Sequence, residues 1–219
     1  MHWNEALYLY HLNRGGTCLG PWEGNWYSQL LLDHKGQPLV IRGESISNGR
    51  IDTLLARAIL PLELEHPYQL TISRRSPLNR GVNLVLGRED FGYSELSQTR
   101  RIRSENIPFT KQVLRHLELR QALEQCPTFA LSVSPATAGL GRAHMLEVHG
   151  NMSAFGNGVG DSLSDSGSAF PFGLTREELQ QYVDAGEYDI GEFQARLDGM
   201  IALAVAACDA LTSWPMPPM

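Results

Sequence analysis

From Met200 to Cys208 the chain runs nine residues without a polar side chain, inside a segment punctuated as a helix at both ends. A membrane span needs about 20 apolar residues, so this stretch has to be buried in protein. Asp189-x-x-Glu192 is a capping box, Tyr188 with Phe193 can staple the first turn, and Pro215 follows Ser213. The apolar stripe is Phe193, Leu197, Met200, Ile201, Ala204, Cys208 and Leu211, and the far side carries Ala195, Gly199, Ala202, Ala206 and Ala210. Small residues let another backbone approach, so the helix is predicted to lie between a core and a second element. A shorter helix is signalled upstream, from the capping box Thr175-x-x-Glu178 to Gly186, with Leu174 and Leu179 as its staple. The two form a C-terminal helical hairpin. The second element is then the upstream helix or the same helix of another subunit.

Before residue 150 the pattern changes to short alternating runs. Trp26–Leu32 and Pro38–Arg42 are predicted strands joined by Asp33-His34-Lys35-Gly36, with Asp where turns favour it and a glycine able to take positive φ. Asn48-Gly49 marks another tight turn. Asp52 is placed to cap a short helix over Leu54–Leu60 that Pro61 would stop. Tyr68–Ser73, Val82–Leu86 and Thr99–Arg103 read as strands. A helix is predicted over Phe109–Gln125, with Phe109, Val113, Leu114, Leu117 and Leu123 on one stripe, Leu119 off it, and Pro127 as its stop. Thr128–Ser134 and His144–His149 pair as a hairpin; His144, Leu146 and Val148 face one way, Met145, Glu147 and His149 the other. The order strand, strand, helix, strand thus occurs twice, as a duplication would leave it, without a repeat at residue level.

These elements define an α+β fold: a mainly antiparallel sheet with packed helices and a C-terminal helical hairpin. Residues 1–149 form the body, 150–173 a Gly/Ser-rich loop and 174–214 the hairpin packed on the body, within a single domain overall. A chain of 219 residues is long enough to bury a real core. Its charge is uneven: residues 1–143 hold 16 basic and 13 acidic side chains, or +3, and residues 144–219 hold 2 and 11, or −9. The simplest consequence is attraction between tail and body; a basic partner on the tail is the alternative. A net charge of −6 and the lack of a helix basic along one face predict no nucleic-acid partner. Cys18, Cys126 and Cys208 stand far apart with no Cys-x-x-Cys, which signals neither a disulfide framework nor a zinc site and fits a reducing cytoplasm. The N-terminus lacks a basic n-region, so no signal peptide and no membrane partner are expected.

One motif carries chemistry. Gly160-Asp161-Ser162-Leu163, extended by Ser164-Asp165, resembles the block that names the Gly-Asp-Ser-Leu family of esterases and lipases, over the nine residues Val159–Gly167. The resemblance implies Ser162 as nucleophile, Gly and Asn donors to the oxyanion, and a late Asp-x-x-His base. The rest of the chain departs from that pattern. "NMSAFGNG" precedes the motif where the family has a buried strand, and neither His nor Asn occurs after Ser162. A serine hydroxyl without a base is a poor nucleophile, so a base would have to come from upstream, as His144 or His149. The expectation is an ordinary loop. Gly156–Asp161 also resembles one imperfect copy of the calcium repeats of secreted β-rolls, which act in stacked arrays; no metal is expected.

The remaining candidates are weaker. Glu147 and His149 share a strand face and form either an acid–base pair or a surface ion pair. His144, on the apolar face, is expected to be a hydrogen-bonded core residue. Arg74, Arg75, Arg80, Arg88, Arg100, Arg101 and Arg103 crowd thirty residues, and of these Arg74, Arg75, Arg100, Arg101 and Arg103 are the candidates for an anionic-ligand site. Trp3, Tyr8, Tyr10, Trp22, Trp26 and Tyr27 are a core edge or a binding surface. No cofactor is implied. Lacking a complete catalytic set, the chain reads as a non-catalytic cytoplasmic binding or protein-interaction domain, its partner a second copy or another protein. The alternative is a serine hydrolase using Ser162.

Overall fold

The computed structural model describes residues 3–20, 27–47, 52–75, 91–136, 142–155, 181 and 191–216. The fold is α+β: an eight-stranded antiparallel sheet with helices, one of them C-terminal. The strands are β1 (Thr17–Leu19), β2 (Gln29–His34), β3 (Gln37–Ser47), β4 (Asp52–Glu63), β5 (Leu70–Arg74), β6 (Arg100–Ser104), β7 (Ala130–Pro135) and β8 (Ala143–Asn151). Their order in the sheet is β1-β2-β3-β4-β8-β7-β5-β6. The helices are α1 (Trp3–Arg14), α2 (Ser94–Thr99), α3 (Ile107–Val113), α4 (Leu117–Gln125) and α5 (Gly191–Thr212). Two compact units divide the chain, Met1–Arg57 with Gly150–Asp198 and Ala58–His149 with Gly199–Met219. Among the described residues no helix is long and apolar enough to cross a membrane.

In the first unit, α1 buries Trp3, Ala6, Leu7 and Tyr10, a stripe at helical spacing, together with Leu9. This helix is not among the elements expected from the sequence. Gly15 and Gly16 end it at φ +88° and +89°, and a Cβ on Gly16 would come within 2.8 Å of the Leu31 carbonyl oxygen. The β2–β3 turn matches expectation: Lys35 and Gly36 have φ of 56° and 81°, and the Gly36 N–H donates to Asp33 Oδ1 at 3.2 Å. Both central residues at positive φ suit the twist of a two-residue hairpin. Trp3 meets Phe155 and Phe193 edge-on, each with ring centroids 5.5 Å away. The Tyr10 hydroxyl donates to Asp198 Oδ1 at 2.7 Å, and Arg14 pairs with Asp198 Oδ2 at 2.9 Å. Burial first, then that hydrogen bond, pushes the Tyr10 phenol up.

Two sequence expectations are corrected. Asp52–Glu63 is a strand, not a capped helix over Leu54–Leu60. Ala56, Ala58, Leu60 and Leu62 are buried while Arg57, Ile59, Pro61 and Glu63 are more exposed, a period of two that decides for a strand. Pro61, which suggests a helix stop, stands on the exposed side near the strand's end. The apparent duplication loses its first helix with this change. The helix over Phe109–Gln125 is also two, α3 and α4, broken at residues 114–116. The break turns α4 about its axis, so Leu119 is 1% exposed and Leu117 52%. Leu119, Ala122 and Leu123 then form α4's own buried stripe.

In the second unit β7 and β8 pair as anticipated, Ser132 opposite Glu147 and Ala130 opposite His149. His144, Leu146 and Val148 are buried and Met145 is exposed. Along α5 the burial extends beyond the expected stripe to Leu203, Ala206, Ala207 and Ala210, whereas Ala202 is exposed. A Cβ on Gly199 would sit 2.9 Å from Cys126 Sγ, so this small residue does admit a neighbour. Of the predicted upstream helix of the hairpin only Gln181 is described, and it is helical; the strand over Val82–Leu86, the Asn48-Gly49 turn, Trp22 and Trp26 lie outside the described residues.

Tyr68 anchors a polar network in this core. The Thr110 hydroxyl donates to the Asn106 carbonyl at 2.8 Å, so its lone pairs accept from Tyr68 at 2.7 Å and Ser104 at 2.5 Å. Phe109 meets the Tyr68 ring edge-on at 5.0 Å. Burial pushes the Tyr68 phenol up to about 12 from 10.0. A phenol that holds its proton more tightly when folded contributes stability that is whole below pH 10.0 and is lost as pH climbs to about 12. The amount at stake is about 2–3 kcal/mol. Urea titrations across this range should show that loss in the parent protein and a shallower one in Tyr68→Phe.

Candidate functional site

The sheet of the second unit has a buried face and an accessible one. Strand alternation places Leu70, Ile72, Leu131, Val133, Leu146 and Val148 on the buried side. On the other side the pairing aligns Arg103, Thr71, Ser132 and Glu147 in one row across β6, β5, β7 and β8. Arg101 stands beside the row opposite Ser73, and His149 beside it opposite Ala130. Arg101, Arg103 and Thr71 are exposed, and Ser73, Ser132, Glu147 and His149 are partly so. Neighbouring strands lie about 4.8 Å apart, so small hydroxyl side chains separate a basic border from a mixed one by roughly 14 Å.

His149 Nδ1 lies 3.2 Å from Glu147 Oε1, an ion-pair distance without the alignment of a hydrogen bond. Ser132 is paired with Glu147 and not with His149, and the residue opposite His149 is Ala130, which has no hydroxyl. Backbone N–H groups inside a sheet point along the plane to neighbouring strands. The face therefore offers no converging donors for an oxyanion. What the arrangement supplies is a flat, charged and hydroxylated surface.

His144 has a different place. Its Nε2 accepts from the Tyr68 N–H at 3.0 Å, and Nδ1 lies 2.9 Å from the Arg142 carbonyl, to which it must donate. Both ring nitrogens serve the backbone of a buried corner. The predicted 150–173 loop is corrected at its start, where β8 runs on to Asn151 and a 3-10 turn follows over Met152–Phe155; Ser162, Gly156–Asp161 and the rest of that loop lie outside the described residues. Among the described residues no three His, Cys, Asp or Glu side chains gather as a metal site would require.

The five arginines do not converge. Arg100 and Arg74 lie on the inner side of the β5–β6 pair, Arg101 and Arg103 on the outer, and Arg75 follows the end of β5, donating to the Ser97 carbonyl at 2.8 Å. Arg80 and Arg88 lie outside the described residues. Arg100 is 3% exposed and forks onto the carbonyls of Leu123, Cys126 and Phe129 at 2.5, 2.7 and 2.6 Å. In a helix the Leu123 carbonyl would accept from residue 127, which is Pro127 and has no N–H. The guanidinium supplies the missing donor and a positive charge at the C-terminus of α4. Burial, followed by the like charge of Arg74, pushes its pKa down. Arg100 is a structural clamp and stands apart from any anion surface. Arg101, Arg103, Glu147 and His149 are candidates from the sequence, and Thr71, Ser73 and Ser132 are not; period-two spacing along each of the four strands is the signal that unites them.

No protein-family model, curated protein or solved structure matches the chain.

Removing the clamp leaves buried carbonyls unpaired. Arg100→Met should cost about 2–4 kcal/mol in denaturant unfolding. Arg101→Gln and Arg103→Gln should each stay within about 0.5 kcal/mol of the parent.

Proposed function

We propose that the chain is a non-catalytic binding domain that engages another protein through the accessible sheet face of its second unit. The observation that supports this is the row Arg103, Thr71, Ser132 and Glu147: charged groups at the borders, small hydroxyls between, one side open to solvent. Flat polar faces with separated charges suit protein recognition, where complementary charge sets rate and register. They suit small-molecule chemistry poorly, since that needs a concave site with converging groups.

A reducing, cytoplasmic location goes with this reading. No disulfide joins Cys18, Cys126 or Cys208 among the described residues, and the last two are buried. Burial pushes the Cys18 thiol up, which lowers its thiolate fraction at any given pH and slows its alkylation. A thiol reagent at pH 8 should find Cys18 slowly in the native protein, and all three thiols once it is unfolded. Fast reaction of Cys126 or Cys208 in the native state would contradict the burial.

The rival reading is a hydrolase using Ser162, and one experiment separates the two. The binding reading expects a fluorophosphonate probe to leave the native chain unlabelled. Labelling that disappears in Ser162→Ala would replace the binding domain with a serine hydrolase.

A further inference from the structure

The β5–β6 pairing fixes which backbone groups of β6 remain open. The Arg75 N–H donates to the Thr99 carbonyl at 3.0 Å and the Glu105 N–H to the Gln69 carbonyl at 3.2 Å. In the same register Ser73 lies opposite Arg101 and Thr71 opposite Arg103. Hydrogen-bonded pairs alternate along an antiparallel ladder, so residues 99, 101, 103 and 105 direct their backbone groups to β5. Ile102 and Ser104 direct theirs away from it. The Arg100 N–H, which also points away, is already given to the Leu96 carbonyl. Among the described residues β6 is the last strand of the sheet, and no described backbone bonds to Ile102 or Ser104 on the open side.

We propose that this edge accepts an extended segment of a partner protein as a ninth strand, and that the segment carries acidic residues on either side of an apolar one. The inference rests on the binding-domain reading and names the kind of partner. A strand added antiparallel to β6 makes its hydrogen-bonded pair at Ile102. Its closer, non-hydrogen-bonded pairs then fall at Arg101 and Arg103. Both arginines are exposed on the same face, and neither has a carboxylate partner among the described residues. Carboxylates placed opposite them gain charged cross-strand pairs. Ile102 is half-buried on the inner side, so an apolar residue opposite it extends the core face. Main-chain bonding supplies affinity and the alternating side chains supply selectivity, as in strand addition generally.

A blocked peptide with the core Glu-Val-Glu tests this on the full chain, with amide hydrogen exchange and a titration as readouts. The peptide should slow exchange at Ile102 and Ser104. A Lys-Val-Lys peptide should bind about tenfold more weakly or worse, and the double variant Arg101→Glu/Arg103→Glu should invert that order. Methylating the central valine nitrogen of the peptide should also weaken binding about tenfold. Ile102→Pro, which removes one open donor where proline is tolerated, should do the same while keeping the far-UV spectrum. Equal binding by the methylated peptide, or by Ile102→Pro, would overturn the added strand and leave a contact of charges alone. Self-association abolished by Ile102→Pro, with no peptide binding, would give the edge to a second copy and overturn it too. A cross-linked partner retained by both variants would sink the edge but leave the binding domain standing. Fluorophosphonate labelling at Ser162 would sink the binding domain itself.

Discussion

A strand points successive side chains to opposite faces, so a sheet that buries one face must spend its apolar residues at every second position. At the centre of β5, β7 and β8 that rule holds: Leu70 and Ile72, Leu131 and Val133, Leu146 and Val148 all go inward. Burying each such side chain is worth about 1.5–3 kcal/mol, and a slip of one residue in register would turn every one of them out. The polar half of the sequence is what remains once this condition is met. The outer row of hydroxyls and charges is thus a by-product of burial before it is anything else. That origin explains its flatness, and why its N–H groups are all committed within the sheet.

The same economy governs the buried polar groups. Pro127 stops α4 and removes the donor that Leu123 needs, and Arg100 repairs the loss from a strand distant in sequence. Burying a guanidinium is costly unless its donors are used, and three carbonyls use them. Thr110 gathers Tyr68, Ser104 and Asn106 around one oxygen. His144 spends both nitrogens on backbone groups of Tyr68 and Arg142. Each of these residues looks reactive in isolation, and each serves as a joint. Arg101, Arg103, Glu147 and His149 take no part in these joints and stand on the outer face of the sheet.

Legibility in the sequence followed the strength of the local code. The β2–β3 and β7–β8 hairpins were readable because turn chemistry and alternation agree there. α5 was readable from its long apolar stripe, although its burial exceeds that stripe. β4 was not, because Leu54, Leu55 and Ile59 fit both a helical and a strand period over so few residues, and Asp52 and Pro61 resemble helix punctuation. The break between α3 and α4 carries no glycine or proline to announce it. α1 was hidden by aromatics that suit several settings. At the candidate site the charged residues could be named in advance, but their grouping could not. Whether Arg100 and Arg101 act together depends on which face each occupies, and adjacent residues on a strand never share one.

The two ends of the sheet differ in how they deal with open backbone. An edge strand invites pairing by any extended chain, and natural sheets blunt it by shortness or by charge. β1 is three residues long. β6 has five and carries arginine at two positions of its exposed face. If two copies of β6 met antiparallel about Ile102, Arg101 of each would fall opposite Arg103 of the other, in the close pairs where like charges repel most. The same two side chains that set identical edges apart favour an acidic strand at that position. Selectivity of this kind is a difference between two free energies, and one residue type supplies both terms. Lysine would also guard the edge, but arginine presents a planar fork to a carboxylate and is less strongly hydrated. The choice of arginine therefore bears on what the edge admits as well as on what it excludes.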